Sequence, residues 1–199
     1  MVVLLLLLIP LIGACFLFLY KGDHRFASAA ALQVSFASLL VMGARLFYWN
    51  TPEMLTFSAS WLTSLGSSFS LQMDGLGTML SLLTTISYFL LFWYLKGRTI
   101  ERPAAFFGWL LLAQVGMLGV FLSIDSLLFY FFWELALIPM YFLASQWGGA
   151  KRIPVTFKFF IYTFLGSVFM LIGILYLQFK TADHSFALES IKKNRLSNE

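Results

Sequence analysis

Glu134 is the residue whose type and setting most clearly point to chemistry. It lies in the apolar run Leu127-Leu128-Phe129-Tyr130-Phe131-Phe132-Trp133-Glu134-Leu135-Ala136-Leu137-Ile138-Pro139. Counted from Asp125 it falls about nine residues into a helix, roughly 13 Å at 1.5 Å per residue. Half of a hydrocarbon core is about 15 Å, so the carboxyl is expected near the middle of a membrane. An acid at that depth costs a few kcal/mol on insertion scales, which neighbouring leucines and phenylalanines offset at a few tenths each. A leucine would insert more cheaply, so the acid points to function. At about 100° per residue, Tyr130, Glu134, Tyr141 and Ser145 lie within about 40° of one line, giving the acid hydroxyl neighbours on one face. Pro139 cannot donate to the Leu135 carbonyl, so a backbone acceptor is freed beside the acid and a kink is expected. Burial favours a carboxyl's neutral form and a nearby cation its charged form, so such a group can take up and release a proton as its surroundings move. The alternative is a neutral structural carboxyl, hydrogen-bonded between helices.

Four further groups of residues carry polar signals. Asp74 opens a polar stripe, Thr78, Ser81, Thr85 and Tyr88, at helical spacing. For Asp74 a helix N-cap is favoured over a place in a proton path, and for the stripe interhelical hydrogen bonding. Lys158, in Phe157-Lys158-Phe159-Phe160-Ile161-Tyr162-Thr163, either pairs with an acid or relays a proton, or else snorkels toward the basic side at Lys151 and Arg152. Arg45 is read as snorkelling. Gln114 with Gly116 and Gly119 suggests close packing with an interhelical hydrogen bond, and Gly166 and Gly173 a second packing face. His24 and His184 fall in polar connections and are read as solvated. No metal-ligand cluster, glycine-rich phosphate loop or serine–histidine pair is present, so nothing in the residues binds NAD, flavin or an iron–sulfur cluster. Cys15 stands alone, which leaves no internal disulfide.

These residues need a membrane to position them. Of 199 residues, 60% are hydrophobic and 11% charged, where a soluble domain has roughly 25% charged residues. The excess apolar surface must face lipid. The net charge of +4 comes from positives scattered over short loops, which excludes a nucleic-acid face. At about 20 apolar residues per helix, six spans are expected: 2–20, 27–48, 74–95, 104–122, 126–147 and 155–178. The first is a retained span and not a signal peptide, since no basic segment precedes it. The 49–72 connection, rich in serine and carrying Trp49 and Trp61, is too polar to span and is expected at headgroup level. Lys21 and Arg25, then Lys96, Arg98 and Arg102, then Lys151 and Arg152 mark three basic connections. The alternate ones carry acids. The positive-inside rule places the N-terminus outside, and the basic tail 191–199 runs against it.

At this point a family resemblance enters. Asp125 to Trp147, with Phe132-Trp133-Glu134-Leu135 and Ile138-Pro139-Met140-Tyr141-Phe142, resembles the fifth span of subunit M of proton-translocating NADH–quinone oxidoreductase, the relative of chain 4 of respiratory complex I. Phe157 to Thr163 resembles the next span, and Met73-Asp74-Gly75-Leu76 the start of the third. The resemblance implies an all-α integral membrane protein of about six transmembrane helices, the N-terminal part of an antiporter-like inverted-repeat fold. It implies that Glu134 serves in a proton path; Asp74 and Lys158 match the family pattern without a catalytic role being carried to them, and together with Tyr130 and Tyr141 they are candidates for the path or its polar lining. It implies no cofactor in this chain, with NAD, FMN, iron–sulfur clusters and quinone held by other subunits, and a multi-pass place in a bacterial inner membrane beside other complex I membrane subunits. Family members continue into a broken helix and a second repeat, so the chain reads as an N-terminal portion, by truncation, gene splitting or frameshift. The alternatives are a subunit of a multisubunit sodium/proton antiporter and a non-functional fragment.

Overall fold

The computed structural model describes residues 2–48, 52–180 and 185–188. Trp49, His184 and the basic tail 191–199 lie outside the described residues. In chain order the elements are α1 (Val2–Leu19), α2 (His24–Phe47), the short α3 (Pro52–Leu55), β1 (Thr56–Ser60), β2 (Ser68–Gln72), α4 (Gly75–Leu95), α5 (Pro103–Leu122), α6 (Ser126–Trp147) and α7 (Arg152–Lys180). Six helices, all but α3, are long and apolar enough to cross a membrane. Each runs through a nearly unbroken apolar stretch. In hydrocarbon a helix is the way one segment satisfies its own backbone, and the polar or glycine-bearing connections stop it.

Helix α5 is the centre. It packs on α1, α2, α4 and α6 and buries Phe107, Leu111, Gln114, Val115 and Leu118. Its glycines allow close approach. A Cβ at Gly116 would lie 2.7 Å from the Ala136 Cα, and one at Gly119 would run into the Phe132 ring. In lipid, where helices gain little from hydrophobic association, such backbone contact is a main source of helix–helix affinity. Helix α7 is different. It packs chiefly on α6 and buries a narrow stripe, Thr156, Ser167, Ile174 and Gln178.

The two ends of the bundle differ in kind. At one end sit the exposed basic connections, joined by the Trp147 indole donating to the Glu101 carbonyl at 2.7 Å. At the other, the connection expected only as a surface segment folds into an antiparallel hairpin, with Ser58 opposite Ser70 and Phe57 opposite Leu71. The apolar side of the hairpin joins the core, with Leu71 fully buried and Phe57 and Phe69 packed beside it. Trp61 turns its ring against Phe69 and Phe131. The signal was present in Thr56-Phe57-Ser58-Ala59-Ser60 and Ser68-Phe69-Ser70-Leu71-Gln72, which alternate with period two.

Asp125 fastens the hairpin to the helices. It is 1% exposed, and its Oδ1 accepts from Ser67 Oγ at 2.9 Å and from the Leu127 and Leu128 amides at 3.0 Å. Its Oδ2 accepts from the Ser68 amide at 3.0 Å. One carboxylate therefore caps α6 and holds the loop that precedes β2. Residues 185–188 return to the same end, where Phe186 is buried. Its carbonyl accepts from the Ser126 amide and hydroxyl, and its amide donates to Gly66. Gly66 takes the left-handed φ of 78° that closes the preceding turn.

Candidate functional site

Glu134 lies about 12 Å along α6 from its first residue. Its side chain is half-buried, and Oε1 is fully buried with no hydrogen-bond partner among the described residues. The helix continues through Pro139. Helix α6 buries Leu128, Phe132 and Pro139 on its α5 side. At about 100° per residue, Tyr130, Glu134 and Tyr141 fall on roughly the opposite side. That side meets α7. Tyr141 packs its ring 5.1 Å from Phe160. The Tyr130 phenol stands within interaction reach of both the Glu134 carboxylate and the Ser167 hydroxyl, across the α6–α7 seam. Ser167 is buried and donates to the Phe164 carbonyl at 2.8 Å. The carboxyl thus has a phenol on one side and an unpartnered oxygen on the other. A proton can rest on that oxygen, and the two hydroxyls can carry one toward it.

Of the other expected residues, the structure brings Tyr130 to Glu134 and keeps Tyr141 on the same face about two turns away, but brings neither Lys158 nor Asp74. Lys158 is exposed. From the buried stripe of α7 it is roughly 170° around the helix, so it faces away from α6. By register it lies about 10 Å nearer the basic end than Glu134. Asp74 is exposed at the N-cap of α4, its Oδ1 accepting from the Gly77 amide at 2.6 Å. Among the stripe hydroxyls, Thr78 and Thr85 donate to carbonyls of their own helix, where bonds to other helices were expected. The i−4 carbonyl is always within reach of a helical threonine and competes well in an apolar setting.

Three more expectations change. Gly166 and Gly173 face open space, because the α6 seam passes through Thr156, Phe160 and Ser167 instead. Gln114 is fully buried, yet neither amide atom has a partner among the described residues. His24 begins α2 and packs against Phe107 at 6.1 Å, with Nε2 buried and unpartnered, so it is not simply solvated. Arg45 is half-buried in the last turn of α2, where a helix terminus favours a cation. Ser167 was not singled out in the sequence. Its spacing from Thr156, Thr163 and Gln178 was the available signal. Among the described residues no three histidines, cysteines or acids come together as a metal site. An apolar cavity of about 520 Å³ between α4, α5 and α6, lined by Leu83, Tyr88, Met117, Trp133 and Met140, lies on another flank of α6 from Glu134.

Residues 123–198, which include Glu134, match the family described as NADH:quinone oxidoreductase/Mrp antiporter, TM. The chain is 38% identical over 176 residues to the F(420)H(2) dehydrogenase subunit M of Methanosarcina mazei, covering 85% of this chain and 35% of that one. It is 31% identical over 198 residues to the NADH-quinone oxidoreductase subunit M of Rickettsia prowazekii, covering 92% and 38%. Among solved structures, a chain of respiratory complex I from Thermus thermophilus superposes with a TM-score of 0.84 at 26% identity, over 98% of this chain and 39% of that one. The chain is thus a multi-pass, antiporter-like membrane protein. Within that class it is most like chains of the subunit M, or chain 4, type among these relatives. It spans between a third and two fifths of the length of those relatives.

Proposed function

We propose that the chain acts as a proton-translocating membrane-arm subunit of an NADH–quinone oxidoreductase, with Glu134 as a protonatable relay in its path. The observation that carries this reading is a carboxyl within the apolar helix α6 that has one buried, unpartnered oxygen, beside Tyr130 on the seam with α7. The family match over Glu134 and the likeness to subunit M chains support it. Redox groups and quinone then belong to partner subunits, and this chain contributes proton movement. Tyr130 and Tyr141 line the acid, while Lys158 and Asp74 carry no role in the relay itself. The protein sits in a prokaryotic plasma membrane with the basic connections inside and the N-terminus outside.

The test uses the chain assembled with its partners in sealed vesicles. Glu134→Gln keeps the shape and removes the titration, so proton pumping is expected to fall at least tenfold, with Glu134→Asp retaining part of it. Normal pumping by the Gln variant overturns the proposal. The second reading, a subunit of a sodium/proton antiporter, is favoured by one observation: the matching family includes Mrp antiporters. Co-purification separates the two. NADH- and iron–sulfur-bearing subunits support the first reading, and other antiporter subunits the second.

A further inference from the structure

A second polar system lies on the opposite side of α5 from Glu134, inside the packing of α2, α4 and α5. Ser35 and Ser38 of α2, Ser81 and Thr85 of α4 and Gln114 of α5 are each 0% exposed. Their faces and levels follow from the contacts beside them. Phe107 of α5 meets Phe92 of α4 at 6.1 Å between ring centroids, and the space beside Gly77 of α4 is closed by the Phe121 carbonyl of α5. Both contacts give one antiparallel register, in which Gln114 comes opposite Thr85. Gln114 is two turns from Phe107 on the same face of its helix, and Thr85 two turns from Phe92 on the same face of its own. On α2, Ala27 and Ala31 pack with Phe92 and Phe107. Ser35 and Ser38 continue that face toward the level of Gln114, where Val34 and Leu111 both crowd Gly13.

The chemistry of this layer is incomplete within the described chain. Gln114 Oε1 and Nε2, Ser35 Oγ and Ser81 Oγ are buried and have no hydrogen-bond partner among the described residues. An amide and two hydroxyls offer both donors and acceptors. Buried polar groups in native proteins find partners almost without exception, and where side chains do not supply them ordered water does. Among the described residues the layer holds no buried charged side chain, the one charged member of the buried polar set being Asp125 at the bundle end. That argues for a neutral ligand and against a metal cation. Along α4 burial deepens from exposed Asp74 through half-buried Thr78 to Ser81.

We infer that Gln114, Ser35 and Ser81 form an internal hydration site, occupied by about one or two ordered water molecules at about three hydrogen bonds each. The water joins α2, α4 and α5 where direct side-chain bonds do not. This site is independent of the Glu134 relay, which faces α7.

Solid-state NMR on the full chain in phospholipid bilayers tests this without a mutation. Labelling alanine carbonyls with carbon-13 and glutamine uniformly with carbon-13 and nitrogen-15 selects Gln114, because Ala113–Gln114 is the one Ala–Gln pair in the sequence, and the glutamine carbons relay that selection to its side-chain amide. The experiment reads magnetisation passed from water protons to the Gln114 side-chain amide. The expected transfer is several-fold above that to the backbone amide of Gln114 itself, which lies inside α5. Transfer no greater than that background overturns the inference. So does a direct contact of the amide with the Ser81, Thr85 or Ser35 hydroxyl without water transfer.

Discussion

Replacing Asp125 tests whether one carboxylate holds the hairpin end of the bundle together. Four donors converge on it: the Ser67 hydroxyl and the amides of Ser68, Leu127 and Leu128. The side chain is 1% exposed and Ser67 2%, so water does not readily replace the lost acceptor. A hydrogen bond to a charged group is worth about 1.5–3 kcal/mol, and a buried donor left unsatisfied costs about 1–3 kcal/mol. Loss of an N-cap costs about 1 kcal/mol. These contributions overlap, since two of the bonds are the cap itself. Asp125→Ala is therefore expected to lower stability by roughly 3–5 kcal/mol. Asp125→Asn keeps one acceptor oxygen, which can still serve the cap and Ser67, but sets an NH2 against the Ser68 amide. Its cost should be smaller, about 1–3 kcal/mol. The assay is reversible unfolding in mixed detergent micelles, followed by helical signal and by the fluorescence of Trp61, which packs on the hairpin. The reasoning fails if Ala and Asn variants match the unsubstituted chain within about 0.5 kcal/mol, the usual range for uninvolved surface positions.

The remaining predictions concern packing and orientation. Gly116→Ala should loosen the α5–α6 contact, since the added Cβ would sit 2.7 Å from the Ala136 Cα. Overpacking of this kind costs about 1–3 kcal/mol, read in the same unfolding assay. Gly166→Ala meets nothing within 4 Å, and it should be neutral or stabilise by up to about 1 kcal/mol through helix propensity. Equal effects at the two glycines would show that the close approach of α5 and α6 is wrong. For orientation, a cysteine near Arg98 in a chain without Cys15 should resist an impermeant reagent added outside intact cells, and ready labelling would invert the topology.

The sequence by itself determined the membrane class, the six hydrophobic helices, the polarity difference between their two ends and the place of Glu134 along its helix. Those properties depend on composition and on distance along one helix, where 1.5 Å per residue converts counting into depth. The close contact at Gly116 and Gly119 was legible too, because small residues on an apolar helix face leave few other uses for that face. Tertiary structure decided what crosses between elements. It set Tyr130 near Ser167 and turned Lys158 away, because the stripe of α7 that meets α6 is chosen by packing, and an all-round apolar helix does not announce it. It left Gln114 without the interhelical partner expected of it, and it folded the serine-rich connection into a hairpin fastened by Asp125. Hydrophobicity decides that a helix enters the bilayer. Which of its faces meets which neighbour depends on shape fitted across many residues far apart in the chain, and that information appears once the helices are together.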